Sequence, residues 1–182
     1  MRLRRDDSFL LIVDVQQKLA PHVLGHQELT RKAEGLIRCA NLLGVGVFLS
    51  EHSPANIGAT VTSLSDLVSG TQILKKTHFA CTDQPACLDA FRSLNKKQVL
   101  VAGMEAHVCV MQTALGLLER GFQPFIAQDA IGSRKEEDRT AALERMRAAG
   151  CAMATAEMAM FEWMENADVP QFRDVLKLVK NL

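Results

Sequence analysis

Short runs of unbroken apolar residues alternate along the chain with longer stretches in which apolar residues recur every third or fourth position. Residues 9–13 (FLLIV) form the first run and end at Asp14, and residues 28–43 then carry Leu29, Ala33, Leu36, Ile37, Ala40 and Leu43 at helical spacing. A run with no polar face fits a buried strand; the wider spacing fits a helix lying against it. Gly44 and Gly46 turn the chain into a second run at 45–49, and a loop containing proline and glycine follows at 51–58. Ile73 and Leu74 make a short third strand that ends at Lys76. The alternation continues with a helix near 84–94, a strand at 98–102, a helix after Cys109, a strand at 123–127, a helix at 136–149 and a strand at 151–155. Strands separated by helices are joined by crossovers rather than hairpins. The pattern therefore predicts an α/β fold: three layers, doubly wound, with a six-stranded, mostly parallel sheet and helices on both faces. A last helix is expected in 169–182, where Val169, Phe172, Leu176 and Val179 share one stripe.

At 182 residues and 48% hydrophobic, the chain suits a single domain, residues 1–182, with a sizeable core. Its 21 Lys and Arg balance its 21 Asp and Glu, and no basic stripe interleaved with aromatics is present. Nothing in that pattern draws the chain to nucleic acid or to an anionic membrane, so a small-molecule substrate is the expected partner. No apolar stretch approaches a bilayer span, and the basic start MRLRRDDS lacks the apolar centre of a signal peptide, so the expected location is cytoplasmic. The five cysteines, Cys39, Cys81, Cys87, Cys109 and Cys151, are odd in number and scattered, without CxxC pairs. Reduced thiols are expected rather than a zinc or disulfide framework.

Three reactive side chains fall where predicted strands end: Asp14 after the first, Lys76 after the third and Cys109 after the fourth. In open parallel sheets, ligands bind beyond the carboxyl ends of the strands, above all where the strand order reverses. If the first and fourth strands are neighbours, Asp14 and Cys109 face each other across that point. Cys109 also precedes Met111, Leu115 and Leu118 at helical spacing, which places it at or near a first helical turn. Unpaired N–H groups there, with a lysine close by, favour a thiolate and offer donors to an oxyanion. Each residue has an ordinary use when taken alone. Asp14 suits a turn cap, Lys75 or Lys76 a solvated surface, and Cys109 a small buried apolar group.

The segments LLIVDVQQKLAP, ILKKTHFACTD and GMEAHVCVMQTALGLLERGF, in that order and spacing, resemble the signature segments of the isochorismatase-like cysteine hydrolase superfamily. The likeness continues through AQDAIGSRKEEDRTAALERMRAAG and TAEMAMFEWMENADVPQFRDVLKLV, and this longer match resembles the isochorismatase-domain-containing subgroup. The resemblance implies Asp14 as acid/base, Lys76 as the triad lysine and Cys109 as nucleophile. Lys76 is preferred over Lys75 because the family lysine stands three residues before an aromatic, here Phe79. It also implies a non-proline cis peptide at Met104–Glu105, with the main-chain N–H groups of Glu105 and Cys109 as oxyanion donors. Homo-oligomers are common in the family, and the 169–182 stripe is expected either to meet a neighbouring copy or to close the chain's own core.

Departures from the family pattern narrow the expectation. Metal-holding relatives place an aspartate and histidines after the second strand, whereas this chain has SEHSPANIGAT there, so no metal and no other cofactor is expected. True isochorismatases lack a cysteine at the nucleophile position, so Cys109 points instead to an amide-type C–N bond cleaved through a thioester. Gln16, Glu51, His52 and Phe79 are candidates to line the substrate pocket, Gln16 also suiting a structural bond at the strand end. His78 and His107 read as polar wall or surface residues, and Asp129, Ser133 and Arg134 as loop caps and ion-pair partners. The alternative from a different class is a non-catalytic binding or scaffold protein that retains the fold.

Overall fold

The computed structural model describes residues 1–182. In chain order its elements are β1 (Ser8–Val13), α1 (His26–Leu43), β2 (Gly46–His52), the single turns α2 (Pro54–Ile57) and α3 (Thr62–Ser65), β3 (Ile73–Lys76), α4 (Pro85–Ser93) and β4 (Gln98–Met104). A π-helical turn, Ala106–Val110, then leads into α5 (Met111–Glu119), followed by β5 (Gln123–Gly132), α6 (Glu136–Ala148), β6 (Ala152–Ala154), α7 (Ala156–Met164) and α8 (Phe172–Val179).

All six strands join one parallel sheet in the order β3-β2-β1-β4-β5-β6. The order reverses at β1 and β4, which pair along their whole length from Ser8 with Gln98 to Val13 with Gly103. Every residue of β1 is buried, as its unbroken apolar run requires of a central strand. Alternate side chains feed opposite sides of the sheet. Leu10 and Ile12 join a core half made with α1, α7 and α8, while Phe9, Leu11 and Val13 join the half made with α4, α5 and α6. The layers are thus helix, sheet, helix.

One element differs from the pattern-based expectation. Helix α7 was not foreseen, although Trp163 within it is fully buried and its Nε1 donates to Ser8 Oγ at 2.8 Å. Of the two places open to the terminal stripe, it takes the chain's own core. In α8 the fully buried residue is Val175, while Phe172, Leu178 and Val179 pack partly buried against α1 and α7. The tail closes the chain's own core instead of leaving an apolar stripe for a neighbour, because Gly35 on α1 leaves a notch that Leu182 enters.

Gly103 fixes how closely β4 approaches β1. Its φ is +117°, and a Cβ there would stand 2.1 Å from Val13 O, so neither the backbone nor the space admits a side chain. Beside it the β4–β5 register shifts: Val101 pairs with Ile126 but Gly103 with Ile131, so β5 carries extra residues there before pairing resumes through Met104 and Gly132. No helix is long and apolar enough to cross a membrane.

Candidate active site

Asp14 leaves β1 with φ +52°, a turn held by its own N–H donating to Ser50 O at 3.1 Å. That turn aims its carboxylate across the strand ends. Oδ1 accepts from Ser50 Oγ at 2.6 Å, and Oδ2 accepts from Lys76 Nζ at 2.6 Å. Lys76 reaches over β2 from the end of β3 and also donates to Phe79 O at 3.1 Å. Neither side chain of this ion pair has any solvent exposure. Burial, the largest single influence, would discharge Lys76, but the charge of Asp14, its hydrogen bond and the neighbouring Cys81 and Cys109 together outweigh it, and the ammonium is held above the ordinary lysine range.

Cys109 sits in the π-helical turn directly after β4 and is 7% exposed. Burial first, then the charge of Asp14, push its thiol up, and the opposing pull of Lys76 does not compensate. Against the expected thiolate bias, these surroundings favour the thiol over the thiolate. Lys76 is already neutralised by Asp14 at 2.6 Å, so little of its charge remains to stabilise sulfur. The three residues do gather at one end of the sheet, as the strand-end argument requires, with Asp14 acting electrostatically on both partners.

The Met104–Glu105 peptide bond is cis. The Glu105 N–H donates to no protein acceptor, while Glu105 O takes the N–H groups of Val108 at 3.1 Å and Val110 at 3.2 Å, which closes the turn around Cys109. The Glu105 carboxylate points away to Arg134, accepting from its Nε at 2.9 Å and its N–H at 3.2 Å. Next to it, His107 Nδ1 and Ser133 Oγ share a hydrogen bond of 2.9 Å.

The pocket candidates divide. Gln16 is buried and its amide is spent: Oε1 accepts from His52 N at 2.8 Å, and Nε2 donates to His52 O at 3.1 Å and Gly58 O at 2.5 Å. Glu51 is likewise buried, its Oε1 taking Thr60 N at 2.7 Å and Thr60 Oγ1 at 2.9 Å. Both therefore clamp the loop after β2, which for Gln16 is the structural bond that its place at the strand end also suited. His52 and Phe79 form a stacked pair with centroids 5.2 Å apart, and Phe79 is 52% exposed beside the carbonyl that holds Lys76. His52 Nδ1 is buried without a partner. His78 bonds Gln84 Oε1 at 3.2 Å on the surface, and Asp129 caps Ala156 N at 2.8 Å while pairing with Lys32 at 3.2 Å. No group of three or more His, Cys, Asp or Glu is gathered in a way that could hold a metal ion.

Three contributors were missed in the sequence. Ser50 is the hydroxyl that fixes Asp14, and Thr113 Oγ1 accepts the N–H of Cys81 at 2.9 Å, one helical turn beyond Cys109. Cys81 itself is wholly buried in the charged environment of Asp14 and Lys76, and burial pushes its thiol up to about 11. Ser50 alone left a signal, the first polar residue after the apolar run of 45–49.

Residues 8–158 match the family model described as Isochorismatase domain. A bovine relative, isochorismatase domain-containing protein 2, is 37% identical over 182 residues, covering 98% of this chain and 86% of the relative. Among solved structures, MAR1 ribonuclease from Caenorhabditis elegans superposes with a TM-score of 0.93 at 32% identity, covering 99% of this chain and 93% of that one. YcaC from Pseudomonas aeruginosa, described with hexane-2,5-diol and covalent acrylamide, superposes with a TM-score of 0.91 at 26% identity, covering 97% and 91%.

Proposed function

The chain belongs to the isochorismatase family of hydrolases, and from that premise we propose that it is a cysteine-dependent, cofactor-independent hydrolase that cleaves the C–N bond of a small carbonyl substrate. The observation that carries this reading is the wholly buried Asp14–Lys76 ion pair beside the Cys109 thiol. Burying two charges costs several kcal/mol unless they are well paired, and a structural pair needs no thiol within its field.

In the proposed reaction the Asp14 carboxylate takes the Cys109 proton as sulfur attacks the acyl carbon, so no free thiolate has to form first. That order suits a thiol held protonated at rest. The oxyanion is received by the N–H groups of Glu105 and Cys109. Collapse expels ammonia or an amine, which takes its proton from Asp14, and leaves a thioester. Water then attacks the thioester carbon, gives a proton to Asp14 and releases the carboxylic acid and the restored thiol. Lys76 and Ser50 hold the two carboxylate oxygens in line throughout. His52 and Phe79 form the wall that faces the incoming substrate. The covalent acrylamide described for the YcaC relative is consistent with a nucleophile in this fold, since acrylamide is an electrophile that captures thiols.

The test is a screen of small amides and ureides against the wild-type chain and Cys109→Ala, with product acid and ammonia as readouts. Turnover lost in Cys109→Ala is expected; turnover that persists in it ends the reading. Chelator is expected to leave the activity unchanged, because no donor set for a metal is gathered. A second reading, RNA cleavage, follows from the description of the C. elegans relative as a ribonuclease. The balanced charge gives it no electrostatic support, and an RNA oligonucleotide included in the screen compares the two directly. We also propose a homo-oligomer, with Met158 and Phe161, exposed one turn apart on α7, at the contact in place of the tail. Sedimentation of the chain as a monomer at micromolar concentration would remove that proposal.

A further inference from the structure

We infer that Ser133 and Arg134, on the loop after β5, are positioning residues that set the oxyanion-binding geometry of the Glu105–Cys109 turn. The inference deepens the proposed cysteine chemistry and rests on it. Glu105 and Cys109 bracket a turn whose main chain has to present N–H groups to a point near sulfur. Apart from the nucleophile's own approach to Asp14, the turn's side-chain hydrogen bonds to the rest of the chain come from one place. Arg134 grips the Glu105 carboxylate twice, through Nε at 2.9 Å and its main-chain N–H at 3.2 Å, and Ser133 Oγ holds His107 Nδ1 at 2.9 Å. Two adjacent residues thus fasten the turn at its first residue and again two residues before the nucleophile.

The burial of the partners shows which of these ties can steer. Ser133 is 1% exposed, and its O also accepts Leu24 N at 3.1 Å, so the hydroxyl is offered from a fixed backbone. The Glu105 side chain is 9% exposed, whereas that of Arg134 is 59% exposed. An exposed ion pair contributes little to stability. A solvent-facing guanidinium bonded to a nearly buried carboxylate still fixes the direction in which that carboxylate, and the peptide behind it, faces. The Glu105 N–H, meanwhile, has no protein acceptor. An unspent donor at the head of the nucleophile's turn, on a turn clamped from outside, is what oxyanion binding demands: the donor has to be aimed before the charge develops. His107 Nε2 lies 3.8 Å from Asp138 Oδ2, beyond hydrogen-bond distance, so Ser133 is the partner that orients the ring.

This role differs from general support of the fold in what it affects. Loosening the turn should weaken addition to a carbonyl, in which an oxyanion forms, and spare a thiol reaction in which none does. Two probes separate these on the full chain: p-nitrophenyl acetate, which acylates sulfur through a tetrahedral oxyanion, and methyl methanethiosulfonate, which thiolates it without one. Reaction at Cys109 is followed by p-nitrophenolate release and peptide mass mapping, with the rate in Cys109→Ala subtracted. In Arg134→Ala and in Ser133→Ala, the acylation-to-thiolation rate ratio is expected to fall about tenfold, since complete loss of one oxyanion donor costs about 100-fold or more. Arg134→Lys, which keeps one charged donor, should recover part of the loss. The melting temperature should stay near wild type in all three. An unchanged ratio in both alanine variants overturns the inference while leaving the nucleophile in place. Equal losses toward both probes also overturn it, since the residues would then only support the fold. If wild-type Cys109 reacts with neither probe, the nucleophile assignment falls and the inference falls with it.

Discussion

At the scale of single residues, the Asp14–Lys76 pair carries an asymmetry that substitution exposes. Both side chains are fully buried, 2.6 Å apart, and each is tolerable only because the other is present. Lys76→Ala removes the cation and leaves a buried carboxylate with only Ser50 to hold it. We expect this change to cost about 3–5 kcal/mol, the usual penalty for stranding one half of a buried ion pair. Urea unfolding measures it; a loss under 1 kcal/mol would mean that Asp14 finds another partner or becomes protonated. Lys75, next in sequence and exposed, is the internal control, and Lys75→Ala should be close to neutral. Ser50→Ala sits between these extremes. It removes a neutral donor from a charged acceptor, so a cost of about 1.5–3 kcal/mol is expected.

At the scale of elements, two glycines decide whether strand and helix can approach the site at all. Gly103→Ala would push a methyl group against Val13 O at 2.1 Å from a backbone with φ +117°, and backbone cannot yield as a side chain can. We expect destabilisation beyond about 4 kcal/mol, read as loss of soluble protein or of a cooperative thermal transition. Gly116 on α5 is different, because the atom a Cβ would meet is the side-chain Oγ1 of Thr82, also at 2.1 Å. Gly116→Ala should destabilise, and Thr82→Ala in the same chain should restore most of the loss by removing that oxygen; additive costs in the double variant would show that the two do not touch. Much of this framework was legible in the sequence, since strands buried on both faces announce themselves as unbroken apolar runs. Asp14 was legible for the same reason, a reactive residue placed where such a run stops, whereas the choice of Lys76 over Lys75 and the role of Cys109 came from the family resemblance. Helix α7 was not, because AEMAMFEWM is apolar on nearly every side and loses the one-sided stripe that marks an amphipathic helix. The partners of Gln16 and Glu51 were not legible, because Gly58 and Thr60 lie in a loop whose path no local pattern encodes.

At the scale of the whole molecule, all five thiols are buried, and burial pushes every one of them up: Cys81 and Cys151 to about 11, Cys39 and Cys87 to about 12, and Cys109 in the same direction. The unfolded chain releases these protons near the ordinary thiol value of 9.0, whereas the folded chain keeps them. Above that value the native state binds more protons than the unfolded one, so stability is fully present below pH 9 or so and declines as pH rises toward 11 and beyond. Thermal unfolding followed from neutral to alkaline pH checks the sign. A flat profile would mean that the thiols titrate alike in both states. The strand order has a consequence of another kind, which concerns the chain while it is still being made. Because β1 lies between β2 and β4 and precedes both in the chain, it has only one of its two neighbours until residue 104 has emerged, and Ser8 waits for Trp163. Until then this apolar strand presents an unpaired edge, which is the surface that chaperones and other nascent chains compete for. Asp14 reaches its position early in the sequence, but the pocket it serves closes late.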